Sequence, residues 1–84
     1  MELYQHDEAG EALRALAAEA LIIDDVERLE QGELRALRFV GRLRMEAQAA
    51  YDAVAPRIRA MGYTPLLRQE GDRVALLMAP PFPR

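Results

Sequence analysis

Apolar positions recur along this chain with two different periods, and each change of period marks a new element. Leu13, Leu16, Ala17 and Ala20 fall at helical spacing. Asp7 is placed as an N-cap, and Glu8 and Glu11 lie in or near the first turn, where the helix dipole favours acids. The pattern predicts a helix from Glu8 to Ala20 whose apolar face is mostly alanine, suited to close packing but burying little area. At Leu21-Ile22-Ile23 the texture becomes that of a strand, which runs through Val26 and Leu29 to a turn at Glu30-Gln31-Gly32-Glu33. The return strand alternates. Leu37, Phe39, Gly41, Leu43 and Met45 share one face, while Arg38, Arg42 and Arg44 share the other with Val40, the pattern of a half-buried antiparallel strand.

From Glu46 the period returns to that of a helix. Ala47, Ala50, Tyr51, Val54, Ile58 and Met61 form one stripe, and Gly62 follows as a C′ residue. Pro56 interrupts the stripe, so a kink near Asp52–Pro56 is expected, or a second short helix with Pro56 at its first position. A second hairpin then runs from Tyr63 to Gln69, turns at Glu70-Gly71-Asp72 and returns from Arg73 to Ala79. Both faces of that return strand are apolar, which predicts a central or covered position, whereas Pro65 predicts an edge for its partner. The expected fold class is therefore α+β: a four-stranded antiparallel sheet with two helices packed on one face, in αββαββ order. This is the ferredoxin-like βαββαβ order with its first strand moved to the end. Residues 1–79 read as a single domain. Pro80, Pro81 and Pro83 lack the backbone donor a sheet needs, so residues 80–84 read as the start of a proline-rich linker. The predicted core comprises Leu37, Phe39, Leu43, Tyr51, Val54, Ile58, Leu66, Leu76 and Met78.

Composition narrows the function. The chain has 84 residues, enough for one modest core, and a net charge of −3, which argues against a dedicated nucleic-acid binder. All 11 basic residues are arginine, and there is no cysteine and no serine. That leaves no disulfide framework, no thiolate metal site and no serine or cysteine nucleophile. The single histidine, His6, has no second histidine at the spacing of a zinc-binding helix. Gly32 and Gly71 are isolated turn glycines rather than a phosphate loop. Asp24 and Asp25 are adjacent in a strand, which should point them to opposite faces and prevent them from acting as a paired acid and base. These residues predict no enzyme and no cofactor site within the chain. With Glu27 and Glu30, the two aspartates should instead form cross-strand ion pairs with Arg35, Arg38, Arg42 and Arg44, setting register more than stability.

For a binding role the sequence points to the sheet surface. Arg38, Arg42 and Arg44 lie away from Phe39 and Leu43, and Arg68 and Arg73 flank the second turn. The expected partner is protein, including a second copy of the chain docked through a strand edge or a sheet face. An arginine row could also meet anionic lipid or RNA, but no aromatic shares its face to stack a base, so nucleic acid is not expected.

One stretch is more distinctive. It contains Phe39-Val40-Gly41-Arg42-Leu43, a helix ending Arg59-Ala60-Met61-Gly62, then Tyr63-Thr64-Pro65-Leu66-Leu67-Arg68, Val74-Ala75-Leu76-Leu77-Met78 and Pro80-Pro81. From Leu37 to Pro83 the chain resembles the soluble N-terminal region of bacterial site-2 proteases, a family of intramembrane zinc metalloproteases. The family's His-Glu-x-x-His helix and distant aspartate have no counterpart here, so no catalytic residue carries over. The resemblance implies a setting: a noncatalytic accessory domain on the cytoplasmic face of a membrane, tethered by a following transmembrane segment, with zinc held elsewhere in the longer protein. The charge distribution agrees with that orientation. Residues 1–45 hold 10 acids and 6 arginines, whereas residues 46–84 hold 4 acids and 5 arginines, so the half nearer the expected membrane is the more basic. The alternative is a free-standing α+β module for protein binding or dimerisation.

Overall fold

The computed structural model describes residues 8–31 and 34–80. Helix α1 (Glu8–Ala20) leads directly into strand β1 (Leu21–Gln31), which pairs with β2 (Leu34–Leu43). Helix α2 (Ala47–Ala60) connects to the second hairpin, β3 (Thr64–Glu70) and β4 (Arg73–Ala79). The four strands form one antiparallel sheet in the order β1-β2-β4-β3, so the expected α+β class and αββαββ element order are the observed ones. β4 is central, as its two apolar faces require, and β3 is an edge, where Pro65 leaves no ladder bond unmade. The predicted cap at Asp7, the turn glycine Gly32, His6 and the linker residues Pro81 and Pro83 lie outside the described residues.

Both helices cover the same face of the sheet. Leu13, Leu16, Ala17 and Ala20 of α1 pack with Ala50, Val54 and Ile58 of α2 onto Leu21, Phe39, Val74, Leu76 and Met78. Alanines at α1's contact positions let the helix lie close, so large side chains from the strands fill the layer between. Leu37, Leu43 and Tyr51 are only partly buried. Leu66 departs from the predicted core altogether: it is 48% exposed. Period two explains this, because Pro65 and Leu67 point towards the helices and Leu66 must point away. Met45 also leaves its predicted face, since β2 ends at Leu43 and Met45 lies in the bend beyond it.

Local chemistry fixes the ends of α2. The Glu46 carboxylate accepts hydrogen bonds from the backbone N–H groups of Gln48 at 3.0 Å and Ala49 at 3.1 Å. Arg57 and Arg59 occupy the last turn, and Gly62 follows with φ of 91°, a conformation that other residues adopt at a cost. α2 runs as one element through Pro56, so the second short helix is not formed. Pro56 and Asp52 are both exposed, and the carbonyl that loses its intrahelical donor is the one at Asp52, on the water-facing side. Arg57 donates to both carboxylate oxygens of Glu19, at 2.7 and 3.0 Å, tying α2 to α1. That hydrogen bonding holds the Glu19 carboxyl below the usual carboxylate range.

Candidate functional site: the open face of the sheet

The register assigns every outward-facing position. Asp25 stands opposite Val40, Val40 opposite Ala75, and Ala75 opposite Arg68, one level across all four strands. The next level runs Glu27, Arg38, Leu77 and Leu66. Among the described residues no helix covers this side, and none of these eight positions belongs to the hydrophobic core beneath the helices or packs against it.

Arg38 organises the face. Its guanidinium donates to Glu27 Oε1 at 3.0 Å and to Glu70 Oε1, spanning from the β1 edge to the β3 edge. The hydrogen bond from Arg38 to Glu70 is the main cause holding the guanidinium's pKa above its ordinary value. The Arg38 side chain is only 26% exposed, and Ala75, on the adjoining strand, is 1% exposed. A long arginine stem lying over the small residues at the sheet's centre accounts for both values.

The remaining sequence-predicted site residues separate into two groups. Arg42 and Arg73 share the open face with Arg38, and Arg73 is paired with Asp24 at 3.0 Å. Arg68 also lies on it, 66% exposed and 3.8 Å from Glu70. Arg44 does not. It lies past the end of β2, where its Nε donates to the carbonyls of Ala18 at 2.7 Å and Leu21 at 3.2 Å. α1 has no basic residue in its last turn, so Arg44 supplies the missing positive charge from a distant part of the chain. Arg44→Ala is expected to lower stability by about 0.5–1.5 kcal/mol through loss of this cap, measured by urea denaturation. An unchanged midpoint would refute the capping role.

The predicted ion pairs are also partly redistributed. Glu27–Arg38 forms as expected, and Glu30 stands opposite Arg35 in the register. Asp24 pairs with Arg73 on β4 rather than with an arginine across its own hairpin, and Arg42 faces Ile22. A β-bulge between Ile23 and Asp25 is the reason. It inserts one extra residue, so simple alternation fails there, and Asp24 and Asp25 are both associated with the open face instead of opposite faces. Sequence reasoning missed Glu70, Asp24 and Leu66 as residues of this surface. For Leu66 the signal was present: Leu66 and Leu67 are adjacent in a strand, so one of them had to face outward.

On the other layer, a cavity of about 260 Å³ lies between the start of α1 and the β1–β2 hairpin, lined by Glu11, Arg14, Val26, Arg28, Leu37 and Phe39. Among the described residues no group of three or more His, Cys, Asp or Glu side chains could hold a metal ion, so the zinc of the resembled proteases finds no ligand set in them. Among the same residues no helix is long and apolar enough to cross a membrane. Comparison with family models, with curated proteins and with solved structures finds no match for this chain.

Proposed function

We propose that this domain is a noncatalytic protein-interaction module that works through the open face of its sheet. The carrying observation is the uncovered level Glu27-Arg38-Leu77-Leu66, where apolar side chains adjoin a cross-sheet ion-pair cluster. One side of a two-layer domain is buried by helices, and the other presents leucine, valine and alanine around a central group of charges, Arg38, Glu27, Glu70, Arg73 and Asp24, that are paired with each other. Such a surface loses little on desolvating its charges and gains by covering its apolar residues. An arginine row reserved for phosphate would leave its guanidiniums free, whereas Arg38 and Arg73 are engaged by carboxylates.

A photo-crosslinking residue, p-benzoylphenylalanine, placed at Leu66 or Leu77 tests this in cells of the source organism, with exposed Ala53 on α2 as the control position. Crosslinked protein is expected from the two sheet positions and not from Ala53. No adduct from the sheet positions, or equal adducts from all three, would overturn the proposal.

For the setting of the module we propose the one that the resemblance of residues 37–83 implies, an accessory domain of a membrane zinc metalloprotease on its cytoplasmic side. The support is the Gly62-Tyr63-Thr64-Pro65 segment with the hairpin after it and the proline-rich exit. Reading the source gene beyond the codon for Arg84 decides it. An apolar span of about 20 residues followed by His-Glu-x-x-His is the expected result. A stop codon would remove the protease setting and leave the free-standing interaction module.

A further inference from the structure

The charges on the open face sort by strand in a way that selects an occupant. We infer that the occupant is a second copy of this chain, stacked sheet on sheet about a twofold axis parallel to the strands. The inference rests on the interaction reading above and names its partner.

Among the described residues the face carries four carboxylates, Asp24, Asp25, Glu27 and Glu70, and four guanidiniums, Arg38, Arg42, Arg68 and Arg73. It is neutral although the whole chain carries −3, so two such faces can meet without net repulsion. The charges are also segregated. On this face the described charges of β1 are all acidic and stand beside the exposed Ile22 and Leu29, whereas the other three strands contribute four arginines against one glutamate.

A twofold axis parallel to the strands, between β2 and β4, carries β1 of one copy over β3 of the other, because the sheet order is β1-β2-β4-β3. It also preserves level along the strands. Asp25 and Arg68 occupy the same level at opposite edges, so each Asp25 meets the other copy's Arg68, and this happens twice in the dimer. Between the two charge pairs the same level holds Val40 and Ala75, and because Ala75 is 1% exposed beneath the Arg38 stem, the second copy meets Val40 and that stem there rather than Ala75 itself. At the end of the face Arg42 meets Arg73, which is already neutralised by Asp24 at 3.0 Å. The perpendicular in-plane axis, passing between these two levels, would instead lay β1 on β1 with its direction reversed and set Asp25 of each copy against Glu27 of the other, which like-charge repulsion disfavours. Four strands span about 19 Å, a small interface by the standards of stable dimers, so a dissociation constant on the order of 1–100 µM is expected.

Sedimentation equilibrium on the purified chain, from about 1 to 500 µM to bracket that range, tests the inference. Wild type should dimerise. Asp25→Arg and Arg68→Asp should each weaken dimerisation at least about tenfold, since each places two like-charge pairs in the interface. The double variant Asp25→Arg/Arg68→Asp should regain affinity to within a few-fold of wild type. Circular dichroism establishes that each variant is folded, and both sites are exposed, so folding is expected to survive. A wild-type monomer throughout that range overturns the inference, as does a double variant no tighter than the singles. Crosslinks from Leu66 to a different protein would overturn the self-partner while supporting the interaction reading, so the two stand or fall separately.

Discussion

Gly41→Ala is expected to be the most damaging single-methyl substitution in the domain, costing about 3 kcal/mol or more. An ordinary added methyl group in a packed core costs about 1–3 kcal/mol because flexible neighbours can yield. At Gly41 the neighbours are backbone. A Cβ there would overlap the Ile22 carbonyl oxygen, lie 2.9 Å from the Ile22 carbonyl carbon and 3.0 Å from Ile23 Cα. Gly41 pairs with Ile23 immediately before the bulge, where the extra residue draws β1 towards β2. Accommodation therefore requires β1 to move, and β1 is the strand onto which α1 feeds directly. A domain of this size has a stability of about 4–12 kcal/mol, so the variant should show a much lower urea midpoint and loss of β1–β2 amide protection in hydrogen exchange. A change under about 0.5 kcal/mol would show that the strand yields freely and that the close approach is not a constraint. Gly62 and Gly71 provide the contrast. Their positive φ values require glycine for conformation, and open space surrounds both Cβ positions.

Phe39→Ala is expected to cost about 3–5 kcal/mol, the range for removing a fully buried aromatic. Phe39 is 1% exposed on β2, facing the helices, and is the largest fully buried side chain among the described residues. Its removal leaves a cavity in a layer otherwise lined by alanine, leucine and valine with Ile58 and Met78, of which only the methionine is flexible enough to fill part of it. Leu66→Ala should cost only a few tenths of a kcal/mol in the monomer, because Leu66 lies on the open face. Parallel denaturation of the two variants separates the layers: similar losses at the two sites would contradict the assignment of Leu66 to the open side. The same Leu66 variant should weaken whatever docks on the sheet, so stability and binding come apart at this residue.

Local periodicity made much of the architecture legible. The stripe from Ala50 through Ile58, the Gly62 stop, the doubly apolar run Val74–Ala79 and the Gly71 turn each depend on neighbours within a few residues, and each appears where the pattern places it. The candidate site was less legible because its defining relations are non-local. Arg38 alternates with Phe39 in the sequence, but its second partner, Glu70, lies 32 residues away on the other edge of the sheet. Arg44 continues the same alternation and would belong to the same row if β2 were longer. The strand ends at Leu43, and the side chain then finds the open carbonyl end of α1. Asp24 was misplaced by an alternation argument that holds in a regular strand and fails at a bulge, which no local residue announces.

The sequence by itself determined the element types and their order, which side of β2 is apolar, the central place of β4 and the edge place of β3, because side-chain period and the missing proline donor act within single elements. Only the tertiary structure decided which apolar residues are buried, since Leu66 and Leu76 look alike until the helices choose one face of the sheet. It alone decided that Asp25 of β1 and Arg68 of β3 lie at the same level on opposite edges, because that relation is set by three successive strand registers and by a bulge.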